Sequence, residues 1–230
     1  MCAAQLDELP DDNNVPSSKS EGGGNLVPAL IAIVLAPALT VVAMYFMINL
    51  NKPEETVKPQ LTEKIYWIGF ANLYLNNPQK ALLDFELVES EYQNFGGFFY
   101  HKGLALIDSG NYDKAIEYLT RSIDLEQNWQ NLDQRGVAYL RSDQLFEAEN
   151  DLRKSIELKE DSSNTCNLGV LLDKKGKHRE AMEFYNQSIE IKSENPNAYR
   201  NRALANYYLE NYQDSISDNS KTIELDSESH

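Results

Sequence analysis

The sequence predicts an all-α solenoid of five helix-turn-helix repeats, preceded by one transmembrane helix. Three observations lead there. A small residue recurs at Gly69, Gly103, Gly136, Gly169 and Ala203, at nearly constant spacing. Each is followed twelve residues later by a second small residue, at Ala81, Ala115, Ala148, Ala181 and Ser215. Upstream of these repeats, the stretch from Leu26 to Ile48 is uncharged throughout. Self-similarity at such a period marks stacked helical hairpins, since one hairpin cannot bury its own apolar face and needs a neighbour.

Taken in order, residues 1–25 carry Asp7, Glu8, Asp11, Asp12 and Glu21 against Lys19, with Pro10, Pro16 and the run Gly22 to Gly24. So few apolar residues cannot offset the entropy of ordering the chain, and a disordered acidic tail is expected. The run LVPALIAIVLAPALTVVAMYFMI at 26–48 follows. At about 1.5 Å per residue it spans roughly 35 Å, enough to cross a hydrocarbon core of about 30 Å. Pro28 falls in its first turn, whereas Pro37 is interior and is expected to kink it. A cleaved signal peptide is disfavoured by the acidic leader, the length of the run and the lack of a small-x-small cleavage site.

Lys19 alone precedes the run, while Lys52, Lys58 and Lys64 follow it. Lysine and arginine near the ends of a span set its orientation, so the repeats are expected on the cytoplasmic side. Residues 49–61, with Pro53 and Pro59, read as an extended linker. The repeats are then bounded at about 62–95, 96–128, 129–161, 162–195 and 196–229. Turn signals stand inside the repeats: Asn77-Pro78, Ser109-Gly110-Asn111, Lys175-Gly176 and Glu210-Asn211 join stop and start residues, and Asn195-Pro196 opens the fifth unit. Ser215 and Asn219 make that last hairpin polar, as expected of a terminal cap.

Sixteen residues after each leading small residue stand Phe85, Leu119, Leu152, Tyr185 and Asn219; nineteen after it stand Val88, Ser122, Ser155, Ser188 and Thr222. In these recurring residues the stretch 62–229 resembles the tetratricopeptide repeat family. Proline that this family commonly carries near the end of each unit is missing here. The resemblance implies a right-handed superhelix whose first helices line a concave groove for a protein or peptide. Carried over residue by residue, it implies groove positions at Tyr66, Phe70, Tyr74, Tyr100 and Leu104 toward one end. Toward the other it implies Arg141, Lys174, Arg200, Tyr207 and Tyr208, with Asp133 and Asp173 interspersed. Such a groove suits a segment with an apolar part and an acidic end, because aromatic and arginine side chains supply much of the anchoring energy at interfaces. The family's two-carboxylate clamp for a chaperone tail is not matched: Asn167 and Asn201 fit it, but Tyr100, Leu104, Asp133 and Val137 stand where it needs lysine and asparagine.

Motifs for chemistry are missing. His101, His178 and His230 have no metal-ligand spacing with one another or with a cysteine, and no P-loop, GxSxG or GxGxxG is present. No cofactor, metal or small-molecule substrate is expected. Residues 52–230 hold 20 basic and 31 acidic side chains, a balance of −11 that disfavours nucleic acid. The two cysteines, Cys2 and Cys166, lie on either side of the expected span and so are not expected to pair; Cys166 reads as a small buried thiol. The expected function is a membrane-anchored protein-binding scaffold, with a permanent structural subunit of a membrane complex as the alternative and an enzyme disfavoured.

Overall fold

The computed structural model describes residues 57–228, and the expected acidic tail, transmembrane run and first part of the linker lie outside them. The described residues are all-helical, and fall into two compact units, one ending at Glu91 and the other beginning at Tyr92. The first holds α1 (Val57–Tyr74), α2 (Pro78–Val88) and a short 3₁₀ turn, Glu89–Glu91. The second holds α3 (Gly96–Asp108), α4 (Tyr112–Leu125), α5 (Trp129–Arg141), α6 (Leu145–Leu158), α7 (Ser162–Lys174), α8 (His178–Ile191), α9 (Pro196–Tyr208) and α10 (Tyr212–Glu228). These helices pair in sequence as five hairpins. One boundary differs: α1 begins at Val57, inside the stretch read as an extended linker. Pro59 is compatible with that start, because the first N–H groups of a helix have no intrahelical partner for proline to remove.

A single turn geometry closes every hairpin. Asn76, Gly110, Asp143, Gly176 and Glu210 all adopt positive φ, between 57° and 74°. In the second hairpin the Asn111 N–H donates to the Leu106 carbonyl at 2.8 Å and the Gly110 N–H to Ile107 at 2.9 Å, the paired bonds that satisfy helix-end carbonyls in a left-handed cap. The same pair recurs at the other four turns. Only two of the five positions are glycine; Asn76, Asp143 and Glu210 accept the strain because the paired bonds fix the backbone.

The recurring small residues lie where the two helices of a hairpin meet. A Cβ added to Gly103 would stand 2.6 Å from Leu119, and one on Gly169 would stand 2.5 Å from Tyr185. Ala81, Ala115, Ala148 and Ala181 are fully buried. In the fifth hairpin Ala203 replaces glycine, and its large partner is replaced by the exposed Asn219, so the space needed by the extra methyl is there.

The serines nineteen residues after the glycines do more than save space. Ser122, Ser155 and Ser188 donate to the carbonyls of Gly96, Trp129 and Ser162, each on the first helix of the same hairpin, at 2.7–2.8 Å. Asparagine from the next hairpin then ties on: Asn131 donates to Ser122 Oγ at 3.0 Å, Asn164 to Ser155 Oγ at 2.9 Å and Asn195 to Ser188 Oγ at 3.2 Å. Each of these buried hydroxyls thus joins two helices of its own hairpin to the next one, and satisfies polar groups whose burial alone would be costly.

A second inter-hairpin tie runs through arginine. Arg135 forks onto Asp151 at 2.7 and 3.0 Å and reaches back to Thr120 Oγ1 at 3.0 Å. Arg202 repeats this with Asp218 at 2.9 and 2.6 Å and with Asn186 at 2.7 Å. In the fourth hairpin the equivalent pair is apolar, Leu168 with Phe184, and packs in the core. The main core of the second unit runs along α5 to α9, with Leu152, Cys166, Leu171 and Tyr185 at or near zero exposure.

Two expectations are corrected. Cys166 is buried as expected, but it is disulfide-bonded and not a free thiol; its bonding partner lies outside the described residues. The expectation of a free thiol rested on separating the two cysteines by a membrane. The last hairpin is also less of a polar cap than its composition implied, for α10 leaves Ile216 and Ile223 59% and 70% exposed. Helical spacing puts these two residues on one outward face, with the exposed Asn219 and Ser220 between them. Among the described residues no helix is long and apolar enough to cross a membrane.

Candidate functional site

The residues implied as groove-lining divide between the two units. Tyr66, Phe70 and Tyr74 stand on α1 in the first. Tyr66 is 4% exposed and packs against Trp67 and Phe85, with ring centroids 5.2 and 6.0 Å away, so it is a core residue and not a groove residue. Phe85 stands on α2, so Tyr66 faces the partner helix of its own hairpin. Phe70 is half-buried, edge-on to Trp67 at 5.6 Å, and Tyr74 is exposed at the end of the helix.

In the second unit the residues come from the first helix of each hairpin. Tyr100 and Leu104 are half-buried on α3. The Tyr100 hydroxyl is pushed up to about 12, first by burial and then by the Asp133 carboxylate on α5. Asp133 is itself almost fully buried, and its pKa is raised to about 6 by desolvation, which outweighs the amide it accepts from Asn167 Nδ2 at 2.8 Å and the one from Gln134 at 3.0 Å. Asn201 Nδ2 approaches Cys166 Sγ at 3.6 Å in the equivalent place between α9 and α7. Asn167 and Asn201, which fit part of the chaperone-tail clamp, therefore use their amides between neighbouring helices.

The basic residues sit nearer solvent. Arg141 is half-buried in the last turn of α5. Lys174, exposed at the end of α7, donates to the Leu140 carbonyl at 3.1 Å and lies 3.1 Å from Asp143. Arg200 on α9 bonds Asn197 at 2.7 Å and Asp226 at 2.9 Å, the latter an exposed pair of the kind worth little in water. Tyr207 and Tyr208 end α9 with more than half of their surface exposed.

Around that last pair the structure assembles residues that sequence reasoning missed. Tyr208 stacks on His178 with centroids 4.7 Å apart and planes 17° apart, and Tyr207 meets Tyr212 edge-on at 5.8 Å. His178 Nδ1 is 2.9 Å from Asp173 Oδ1, whose other oxygen accepts the buried Tyr185 hydroxyl at 2.7 Å. Burial raises the Asp173 pKa, and burial together with that carboxylate raises the Tyr185 pKa. The Tyr185 ring is wholly enclosed, so this chain of groups locks the turn of the fourth hairpin and offers no accessible nucleophile. His178 carried a hint in the sequence, just across the turn from Asp173, but contact with Tyr208 at the end of the next hairpin's first helix could not be read from spacing.

The cavities described lie elsewhere. One of about 290 Å³ opens between α8, α9 and α10, lined by Met182, Asn186, Arg202, Asn206 and Asp218. Another of about 480 Å³ lies among the loops at Asp161, Lys192 and Asn195. Neither is lined by an implied groove residue. No group of His, Cys, Asp or Glu able to hold a metal ion occurs among the described residues.

Comparison with known proteins agrees with this geometry. A family model described as tetratricopeptide repeat matches residues 97–128, the second hairpin. One described as TPR repeat matches 169–209, from within α7 to the residue after α9. No curated protein matches the chain. Among solved structures, a MamA crystal structure is similar at 22% identity, with 70% of this chain and 96% of that one covered and a TM-score of 0.56. MamA from Desulfovibrio magneticus RS-1 is similar at 18% identity, covering 73% and 96%, with a TM-score of 0.59. YrrB, described as a TPR protein with an unusual peptide-binding site, is similar at 18% identity, covering 70% and 84%, with a TM-score of 0.51. At these identities the likeness establishes the fold: an all-helical solenoid of the kind these proteins share.

Proposed function

We propose that this chain is a membrane-anchored scaffold of five tetratricopeptide repeats that holds a protein or peptide segment along the first helices of its hairpins. The observation that carries the reading is the placement of Arg200 with the exposed pair Tyr207 and Tyr208 on one helix, α9, beside α7 with its exposed Lys174. Aromatic and cationic side chains of this kind are the usual anchors at interfaces, and they suit a segment that ends in carboxylates. YrrB, which shares the fold, is described as having a peptide-binding site.

The anchor is the run 26–48, which ends shortly before α1 begins at Val57. It tethers the repeats near the bilayer, on the cytoplasmic face by the lysine bias.

Crosslinking in the native membrane, followed by identification of what is caught, tests the reading. Retention of the full-length chain after alkaline carbonate and recovery of a partner crosslinked to α7 or α9 are the expected results. Release of the chain by carbonate overturns the anchor. Purification with a neighbour in fixed stoichiometry identifies a permanent subunit instead.

A further inference from the structure

The outward face of α10 repeats an interface that the molecule uses internally. Met182 and Ile189 on α8 pack against the core beneath the fifth hairpin. Ile216 and Ile223, one repeat further on, occupy the same two places on α10, yet stand 59% and 70% exposed. What covers this face inside the second unit is the first helix of a following hairpin. The side of that helix facing backward is marked by the arginines that reach to the preceding hairpin, Arg135 to Thr120 and Arg202 to Asn186. In α1 the equivalent residue is Ile68, 53% exposed, with Leu61 a further two turns back at 58%. Leu168 shows that an apolar residue serves in this place, since it is 1% exposed inside the core.

We propose that two copies of this chain associate head to tail, the Leu61 and Ile68 face of α1 in one copy covering the Ile216 and Ile223 face of α10 in the other. The occupant is a second copy because this contact continues an interface already present between hairpins, with apolar residues at the matching places on both sides. A heterologous contact of this type is not closed by one pairing, and it adds chains one after another. Neither face includes the groove residues, so the inference stands apart from the peptide-binding reading.

Sedimentation of the full-length chain in detergent tests it, over roughly 1 to 100 µM, the range in which a small interface shows. The wild-type chain is expected to grow in mass with concentration. Ile68→Glu blocks the head, Ile223→Glu blocks the tail, and each variant alone is expected to stay monomeric. Mixed in equal amounts, they still offer one intact head and one intact tail, and a complex of two chains is expected to form. That recovery also shows that both variants are folded. A wild-type chain that remains monomeric throughout overturns the proposal. So does a mixture that stays monomeric while the wild type associates. Dimers of Ile68→Glu alone would mean tail-to-tail contact, and likewise overturn it.

Discussion

Leu152 lies so close to Gly136 that a Cβ built on the glycine would stand 2.8 Å from the leucine Cγ. This contact between α5 and α6 sets the separation of the two helices. Gly136→Leu is expected to cost about 1–3 kcal/mol by overpacking, and Ala148→Leu on the facing helix a similar amount. Urea unfolding of the two variants checks this. Gly110→Ala is the contrast: nothing lies within 4 Å of its added Cβ, but φ is +74°, so the cost is backbone strain of about 1 kcal/mol. Unchanged stability of both Gly136→Leu and Ala148→Leu would refute the packing account.

The Arg135–Asp151 pair and the Leu168–Phe184 pair occupy equivalent places in successive hairpins. Asp151→Phe alone strands a guanidinium that is mostly buried, and is expected to destabilise by roughly 1–3 kcal/mol, less than a fully buried pair because Arg135 keeps 18% of its side-chain surface. Combining it with Arg135→Leu copies the neighbouring hairpin and should recover most of that loss. A double variant less stable than the single one would show that the ion pair fixes the register between hairpins.

Asp133 makes stability depend on pH in an unusual sense. Its folded pKa is raised from 3.8 to about 6, so the native state holds the proton more tightly than the unfolded chain. The sign follows: the contribution is fully present below about pH 4 and is lost as pH rises through 6. Asp161 adds to the upward shift, while Asn167 and Gln134 oppose it by hydrogen bonding to the carboxylate. Asp133→Asn is therefore expected to raise the denaturant midpoint relative to wild type at pH 7.5, with the gain shrinking toward pH 4. A constant difference across that range would exclude titration of Asp133 as its source.

For the binding surface, aromatic and basic residues are expected to act differently once the partner is in hand. Tyr207→Ala or Tyr208→Ala should weaken binding by about 2 kcal/mol, mainly through faster dissociation, since buried contact is lost. Arg141→Glu, Lys174→Glu or Arg200→Glu should slow association and flatten its salt dependence, because these charges steer an acidic segment from a distance. Surface plasmon resonance at several salt concentrations separates the two. Glu117→Lys and Glu183→Lys on the second helices are the controls. If these abolish binding while the groove variants bind normally, the working surface is the opposite face.

The recurring glycine contacts and the paired helices follow from the repeat period, because each of these depends on residues within a single hairpin. Gly136 with Leu152, or Asn195 before Pro196, is legible in spacing alone. Three features were settled only by folding. Ser122, Ser155 and Ser188 read as merely small, yet their hydroxyls bind carbonyls at the far end of the same hairpin and receive an asparagine from the next one. Tyr66 and Tyr100 stand at equivalent places in their repeats, but the first is core and the second half-buried, since exposure depends on which neighbours pack against each helix. Composition marked α10 as a polar cap, whereas helical geometry collects Ile216 and Ile223 on its outward side. Local periodicity is written in the chain because it repeats at every unit; what one unit presents to the next is decided by side chains far apart in sequence, whose meeting exists only once the hairpins have stacked.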